Sequence, residues 1–207
     1  MNSGDHATKL LNHIRRHRLG VISVASEMLR IPKSELRETA TGLLKAGVLG
    51  NESLYHTRRY LYEQPSSESN RSAGPLSERS KITSLATLLF CSLNPNQREL
   101  LTSTEFQQHF SDLYRPSGAG RYVLDQSAGE ARLTFIRVDC GGHGHWDRVI
   151  ARARRDLDHH RVNPAFDRLI NQGLFQIGIL TATERKAKRI QQTLSESREE
   201  ACRCLQV

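Results

Sequence analysis

Residues 64–81, QPSSESNRSAGPLSERSK, replace apolar side chains with Ser, Pro, Gly and charge over a longer stretch than a turn requires. Such a segment buries too little surface to offset its own ordering entropy, so it reads as a linker. The chain must then fold as two units, with predicted limits 1–63 and 82–207 around a linker at 64–81. A unit as short as the first is stable only as a compact helical fold with a small core, whereas the second has length for a medium α/β core.

The 207 residues carry 30 Lys+Arg against 22 Asp+Glu, a formal net charge of +8. That balance points to an anionic partner, most economically nucleic acid. The longest apolar stretch, near residues 85–93, is far shorter than the roughly 18 residues a membrane-crossing helix needs, so no membrane association is expected. MNSGDHATKLLNHIRRHR carries charge where a secretory leader places its apolar core, so the expected compartment is the cytoplasm. Cys91, Cys140, Cys202 and Cys204 lack C-x-x-C spacing and are expected as thiols. Cys202 and Cys204 read as a frayed tail, with a metal site as the alternative, and no cofactor is expected.

In the first unit Leu10, Leu11 and Ile14 recur at helical spacing, and a second helix follows from Val21 to Leu29. After Ile31-Pro32-Lys33, Ser34 is placed to cap a third helix and Glu35 favours its positive end. Leu36, Ala40, Leu43 and Leu44 share one face, Lys33, Arg37, Thr41 and Lys45 the other, and Gly47 ends the helix. Residues 53–63, with Tyr55, Tyr60, Leu61 and Tyr62 around Arg58 and Arg59, read as a strand or hairpin. Two short helices joined by a tight turn, with a basic second helix, match a helix-turn-helix, and the hairpin makes it the winged kind. GVISVASEMLRIPKSELRETATGLLKAGVLG resembles the winged helix-turn-helix domains of bacterial regulators. The resemblance implies a duplex met by Lys33, Ser34, Arg37, Thr41 and Lys45 in the major groove, with Arg58 and Arg59 on the backbone. A protein-interaction module of the same shape is the alternative.

In the second unit a helix is predicted from Lys81 to Leu93 and another from Thr102 past Phe106 and Phe110 to Leu113. Strands at 121–125 and 132–139 form a hairpin, and a helix runs from near Trp146 to about His160. A short helix at 164–171, an apolar strand at 174–180 and a last helix from Thr183-Glu184 complete an α/β order with a mixed sheet.

The run Phe135-Ile136-Arg137-Val138-Asp139-Cys140-Gly141-Gly142, the helix after it, Phe175-Gln176-Ile177-Gly178-Ile179-Leu180-Thr181 and the Arg185 start of the last helix resemble the replication-relaxation family and MobC-type plasmid mobilisation proteins. The resemblance implies an α+β chain in which a winged helix-turn-helix precedes a restriction-endonuclease-like core. It also implies a degenerate metal site, with a Pro-Asp before one strand and Glu-x-Asp on the next. Here those positions read Pro116-Ser117 and Arg137-Val138-Asp139, so only Asp139 stays in register. Mg²⁺ held against a scissile phosphate needs converging carboxylates, and Arg137 opposes a cation. The expected core is therefore a lapsed nuclease, the alternative being a metal-dependent nuclease or relaxase that nicks DNA with Asp139 and Asp125 or Glu105.

His143-Gly144-His145-Trp146-Asp147 with His159-His160 lacks an established zinc spacing, so no metal is assigned. At 100° per residue Trp146, Val149, Ile150, Ala153, Leu157 and His160 line one face, and Arg148, Arg152, Arg155 and His159 the other. With Arg185, Lys186, Lys188 and Arg189 these arginines form a candidate second basic surface, against a plain solvated face balanced by Asp156, Asp158 and Glu184. The expected function is sequence-specific duplex DNA binding, as a transcriptional regulator or an accessory transfer factor of a bacterial mobile element. The expected assembly is a homodimer that docks on transcription or transfer machinery.

Overall fold

A computed structural model describes residues 3–54, 58–65, 74–114, 121–141, 145–197 and 201–207. Among the described residues are eight helices and two sheets, one of them mixed, which makes the protein α+β. The chain divides into two compact units, Met1–Ser92 and Leu93–Val207.

In the first unit α1 (Ser3–His17), α2 (Ile22–Leu29) and α3 (Lys33–Lys45) precede an antiparallel hairpin of β1 (Leu49–Leu54) and β2 (Arg58–Glu63). Leu10 and Ile14 of α1, Ala25 of α2, and Leu36 and Ala40 of α3 close a core with Leu49 and Leu61. The start of α3 differs from expectation. Pro32, not Ser34, is the N-cap, and no side chain caps the helix. The Pro32 carbonyl takes the first helical bond from the Leu36 N–H at 3.0 Å, which leaves Ser34 exposed in the first turn. The far end is as expected: Gly47 at φ 72° lets the Gly47 and Val48 N–H groups return to Leu44 and Leu43. Gly20 exchanges both backbone bonds with Leu61, at 2.9 and 2.8 Å, so the link between α1 and α2 adds a short rung to the hairpin.

The boundary between the units also differs from expectation. Helix α4 (Glu78–Ser92), predicted to open the second unit, belongs to the first. Lys81, placed by sequence at the linker's end, is buried in α4, and its Nζ lies 3.0 Å from the Glu52 carboxylate of β1. The Tyr60 hydroxyl donates to the same carboxylate at 2.7 Å, and burial together with that bond pushes the phenol up to about 12. Leu76 and Leu88 then pack with Leu19, Val24, Tyr60 and Tyr62 as a second small core. A unit ending at residue 63 would expose these tyrosines; α4 supplies the apolar cover that so short a chain lacks. Residues 66–73 of the predicted linker lie outside the described residues.

The second unit holds β3 (Arg98–Leu100), α5 (Ser103–His109), β4 (Tyr122–Asp125), β5 (Arg132–Val138), α6 (Trp146–Arg161), α7 (Pro164–Asn171), β6 (Phe175–Thr181), α8 (Glu184–Glu196) and β7 (Cys202–Gln206). Its five strands lie side by side in chain order. The first three are antiparallel, whereas β5, β6 and β7 run parallel, which the intervening helices make possible. Strand alternation sends Leu133, Phe175, Ile177 and Ile179 to one face, where Ile150 of α6, Ile170 of α7 and Ile190 of α8 cover them. On the other face Gln176 Nε2 donates to Thr134 Oγ1 at 2.8 Å. There a Cβ on Gly178 would lie 2.8 Å from Thr134 Cγ2 and 3.3 Å from Ile136 Cδ1, closer than packed carbons approach. Three further details depart from the sequence reading. Helix α5 stops at His109 instead of reaching Leu113, β3 was not anticipated, and Cys202 and Cys204 are buried in β7 where a frayed tail was expected.

Candidate nucleic-acid interface

The apolar side of α3 is anchored by Leu36 and Ala40, so the helix offers its remaining surface to solvent. Lys33, Ser34, Arg37, Thr41 and Lys45 are all exposed. Spacing of four residues advances the row by about 40° per step, so it winds obliquely from the flank of the buried face to the opposite side. Among the described residues Lys33, Arg37, Lys45 and Arg59 make no ion pair. Glu35, within the same helix, faces His6 Nδ1 at 3.5 Å. Arg59 is exposed on β2; the side chain of Arg58 and residues 55–57 at the hairpin tip lie outside what is described.

In the second unit the three candidate carboxylates do not converge. Asp125 pairs in register with Arg132, the first residue of β5, and Asp139 follows the last residue of that strand. Seven steps of about 3.3 Å put the two roughly 23 Å apart along the sheet. Asp125 is buried, accepting from Arg98 Nε at 3.1 Å and from the Ser127 N–H at 2.9 Å. Glu105 completes a capping box at the start of α5, its carboxylate accepting the Thr102 N–H at 2.8 Å. Asp139 forms an ion pair with Lys186 of α8 and accepts the Gly141 N–H at 3.0 Å. Arg137 does not face an open site: its Nε donates to Asp156 of α6 at 2.6 Å and its Nη2 to the other oxygen of that carboxylate. Among the described residues no three His, Cys, Asp or Glu side chains gather as metal ligands. Pro116, Ser117 and His143 lie outside the described residues.

His160 is buried, as the helical spacing indicates, with Nε2 at 3.0 Å from the Tyr122 hydroxyl, and burial lowers its pKa. Arg148, Arg152 and Arg155 are exposed along α6. Of the acids invoked to balance them, Asp156 is committed to Arg137, and Glu184 lies 2.6 Å from Lys188. Arg185 is exposed too, but Lys186 is not part of that surface, because its side chain turns inward to Asp139 and keeps 11% of its accessible area. Between the start of α6 and α8 lies a groove of about 770 Å³ lined by Trp146, Arg185, Lys186, Lys188 and Arg189. The Arg189 guanidinium sits 5.0 Å from the centre of the Trp146 ring.

No protein-family model, curated protein or solved structure matches the chain.

Two features of this surface escaped the sequence reading, and both left a trace there. Lys186 stands at i−4 and i−8 from the buried Ile190 and Leu194, so the apolar period of α8 already marks it as inward-flanking. Trp146, expected in the core, packs half-buried against it, and its ring also lines the groove.

Proposed function

We propose that the protein binds double-stranded DNA through α3, as a winged helix-turn-helix with the β1–β2 hairpin as its wing. The observation that carries this reading is the oblique row of unpaired, exposed cations on a helix held rigidly by its other side. From residue 33 to residue 45 the row extends about 18 Å, enough to follow a major groove across several base pairs. Arg37, near its middle, has the fork geometry for a guanine edge or a phosphate; Lys33 and Lys45 meet phosphates, Ser34 adds a hydroxyl donor, and Thr41, whose hydroxyl donates to the Arg37 carbonyl at 2.8 Å, adds an acceptor. Arg59, exposed on β2, meets the neighbouring backbone from the wing.

The second unit, in this reading, is a restriction-endonuclease-like core that serves dimerisation, DNA architecture or partner docking instead of cleavage. The dispersal of Asp139, Asp125 and Glu105 supports that assignment. A role in transcriptional regulation or mobile-element transfer rests on the sequence resemblance alone. Among the described residues no helix is long and apolar enough to cross a membrane.

A gel-shift series on a mixed-sequence duplex tests the interface. Arg37→Ala and Lys45→Ala should each weaken binding by about fivefold or more, Arg185→Ala by much less, and affinity should fall steeply with salt. Equal losses across the three variants would remove α3 from the groove. Supercoiled plasmid incubated with the protein and Mg²⁺ or Mn²⁺ should stay intact; a nick abolished by Asp139→Ala would replace this reading with the nuclease.

A further inference from the structure

The groove between α6 and α8 opens at the carboxyl ends of β5 and β6, since Asp139 directly follows β5 and Thr183, at its wall, follows β6. Segments that leave strand ends on a rigid sheet are where binding side chains are commonly presented. Its charge is not uniform. Lys186 is matched by Asp139 and Lys188 by Glu184, whereas Arg185 makes no ion pair among the described residues. The Arg189 guanidinium carbon lies over the Trp146 ring at 5.0 Å, and Arg189 makes no ion pair among the described residues, which leaves its N–H groups for an anion.

We infer that this groove binds single-stranded nucleic acid, with an unpaired base on the Trp146–Arg189 layer and the adjoining phosphates on Arg185 and the Arg189 edge. The aromatic ring decides the class of ligand. A phosphate ion gains nothing from a tryptophan, and a duplex keeps its base faces stacked inside, whereas single strands bind through aromatic platforms set in basic grooves. The volume, about 770 Å³, lies in the range of pockets that enclose a drug-sized molecule, room for about two nucleotides. The inference does not depend on α3, which belongs to the other unit.

Trp146 is the chain's single tryptophan, so indole emission, excited to the red of the five tyrosines, reports on this groove alone. Titration of the full chain with dT12 or rU12 should change that emission in a saturable, salt-sensitive way. Arg185→Ala should shift the midpoint upward by about fivefold, the low end of what one stacked or paired nucleotide contributes. With end-labelled dT12 followed by anisotropy, Trp146→Ala should lose at least as much and Trp146→Phe should recover most of it, while Arg168→Ala, exposed on α7 away from the groove, leaves the titration unchanged. Far-UV circular dichroism of each variant guards against misfolding, and Arg185, being exposed, provides a variant that spares the fold. The inference falls if neither oligonucleotide alters the emission, if a blunt duplex or inorganic phosphate alters it equally, or if Arg185→Ala and Trp146→Ala bind like the parent.

Discussion

Lys186 stands in a run of cations, Arg185, Lys188 and Arg189, yet it alone turns inward to a carboxylate with 6% of its side-chain area exposed. Removing the carboxylate leaves the largely enclosed Lys186 charge with only long contacts such as that to the Gly141 carbonyl at 3.5 Å. Asp139→Ala should therefore cost about 3–5 kcal/mol of stability, and the double variant Asp139→Ala/Lys186→Met should recover most of it; urea denaturation followed through Trp146 emission measures both. His13 carries a second prediction. Its imidazole is buried and held down to about 4, by burial first and by the charge of Arg16 second. A base that titrates lower in the folded chain than its ordinary 6.5 binds fewer protons folded than unfolded between those limits. Stability is then complete above pH 6.5 and is lost as pH falls towards 4, by an amount on the order of 3 kcal/mol. Thermal melts of the first unit's helical signal across that window should show the loss, reduced in His13→Gln. An unchanged melting temperature would contradict it. Burial lowers His160 as well, with the same sign.

At the scale of elements, the sequence was most legible where periodicity and punctuation agree. Helix α7 and the stop of α3 at Gly47 lie where Asn163-Pro164 and Gly47 mark them, because capping chemistry is local. Strand β3 is short, and Arg98 and Glu99 leave it one apolar residue, so only its pairing with β4 makes it a strand. Strand β7 did carry a signal, Cys202 and Cys204 alternating inward around exposed Arg203, which the assumption of a frayed tail overrode. The candidate interface on α3 was legible because exposure follows helical phase; the ion pairs of Asp139, Arg137 and Asp125 were not, because each joins separate elements. Backbone handedness supplies a paired test. Gly47→Ala should destabilise the protein by about 1 kcal/mol, whereas Arg18→Gly should stabilise it by a similar amount, since Arg18 occupies the same left-handed region at φ 66°. Opposite shifts in melting temperature are the expected result.

For the whole molecule, the linker-like composition places a border at 64–81, whereas the two compact units meet between Ser92 and Leu93, because composition does not reveal that Lys81 and Leu88 are covered. A fragment of residues 1–92 should unfold cooperatively, while residues 1–63 should not give a cooperative transition, having lost the cover over Tyr60 and Tyr62. Calorimetry of the two fragments distinguishes them. The second unit faces a different problem, since parallel strands joined through long connections search slowly for their alignment. Gly178 bears on that search: it sits opposite Ile136, in a space already filled by the Thr134 and Ile136 side chains. Sliding β6 by two residues would bring the side chain of Gln176 or Leu180 into that notch, where a hydrogen atom alone has room. Strand β6 thus works like a key with one cut, admitting a single alignment against β5 and rejecting the near misses.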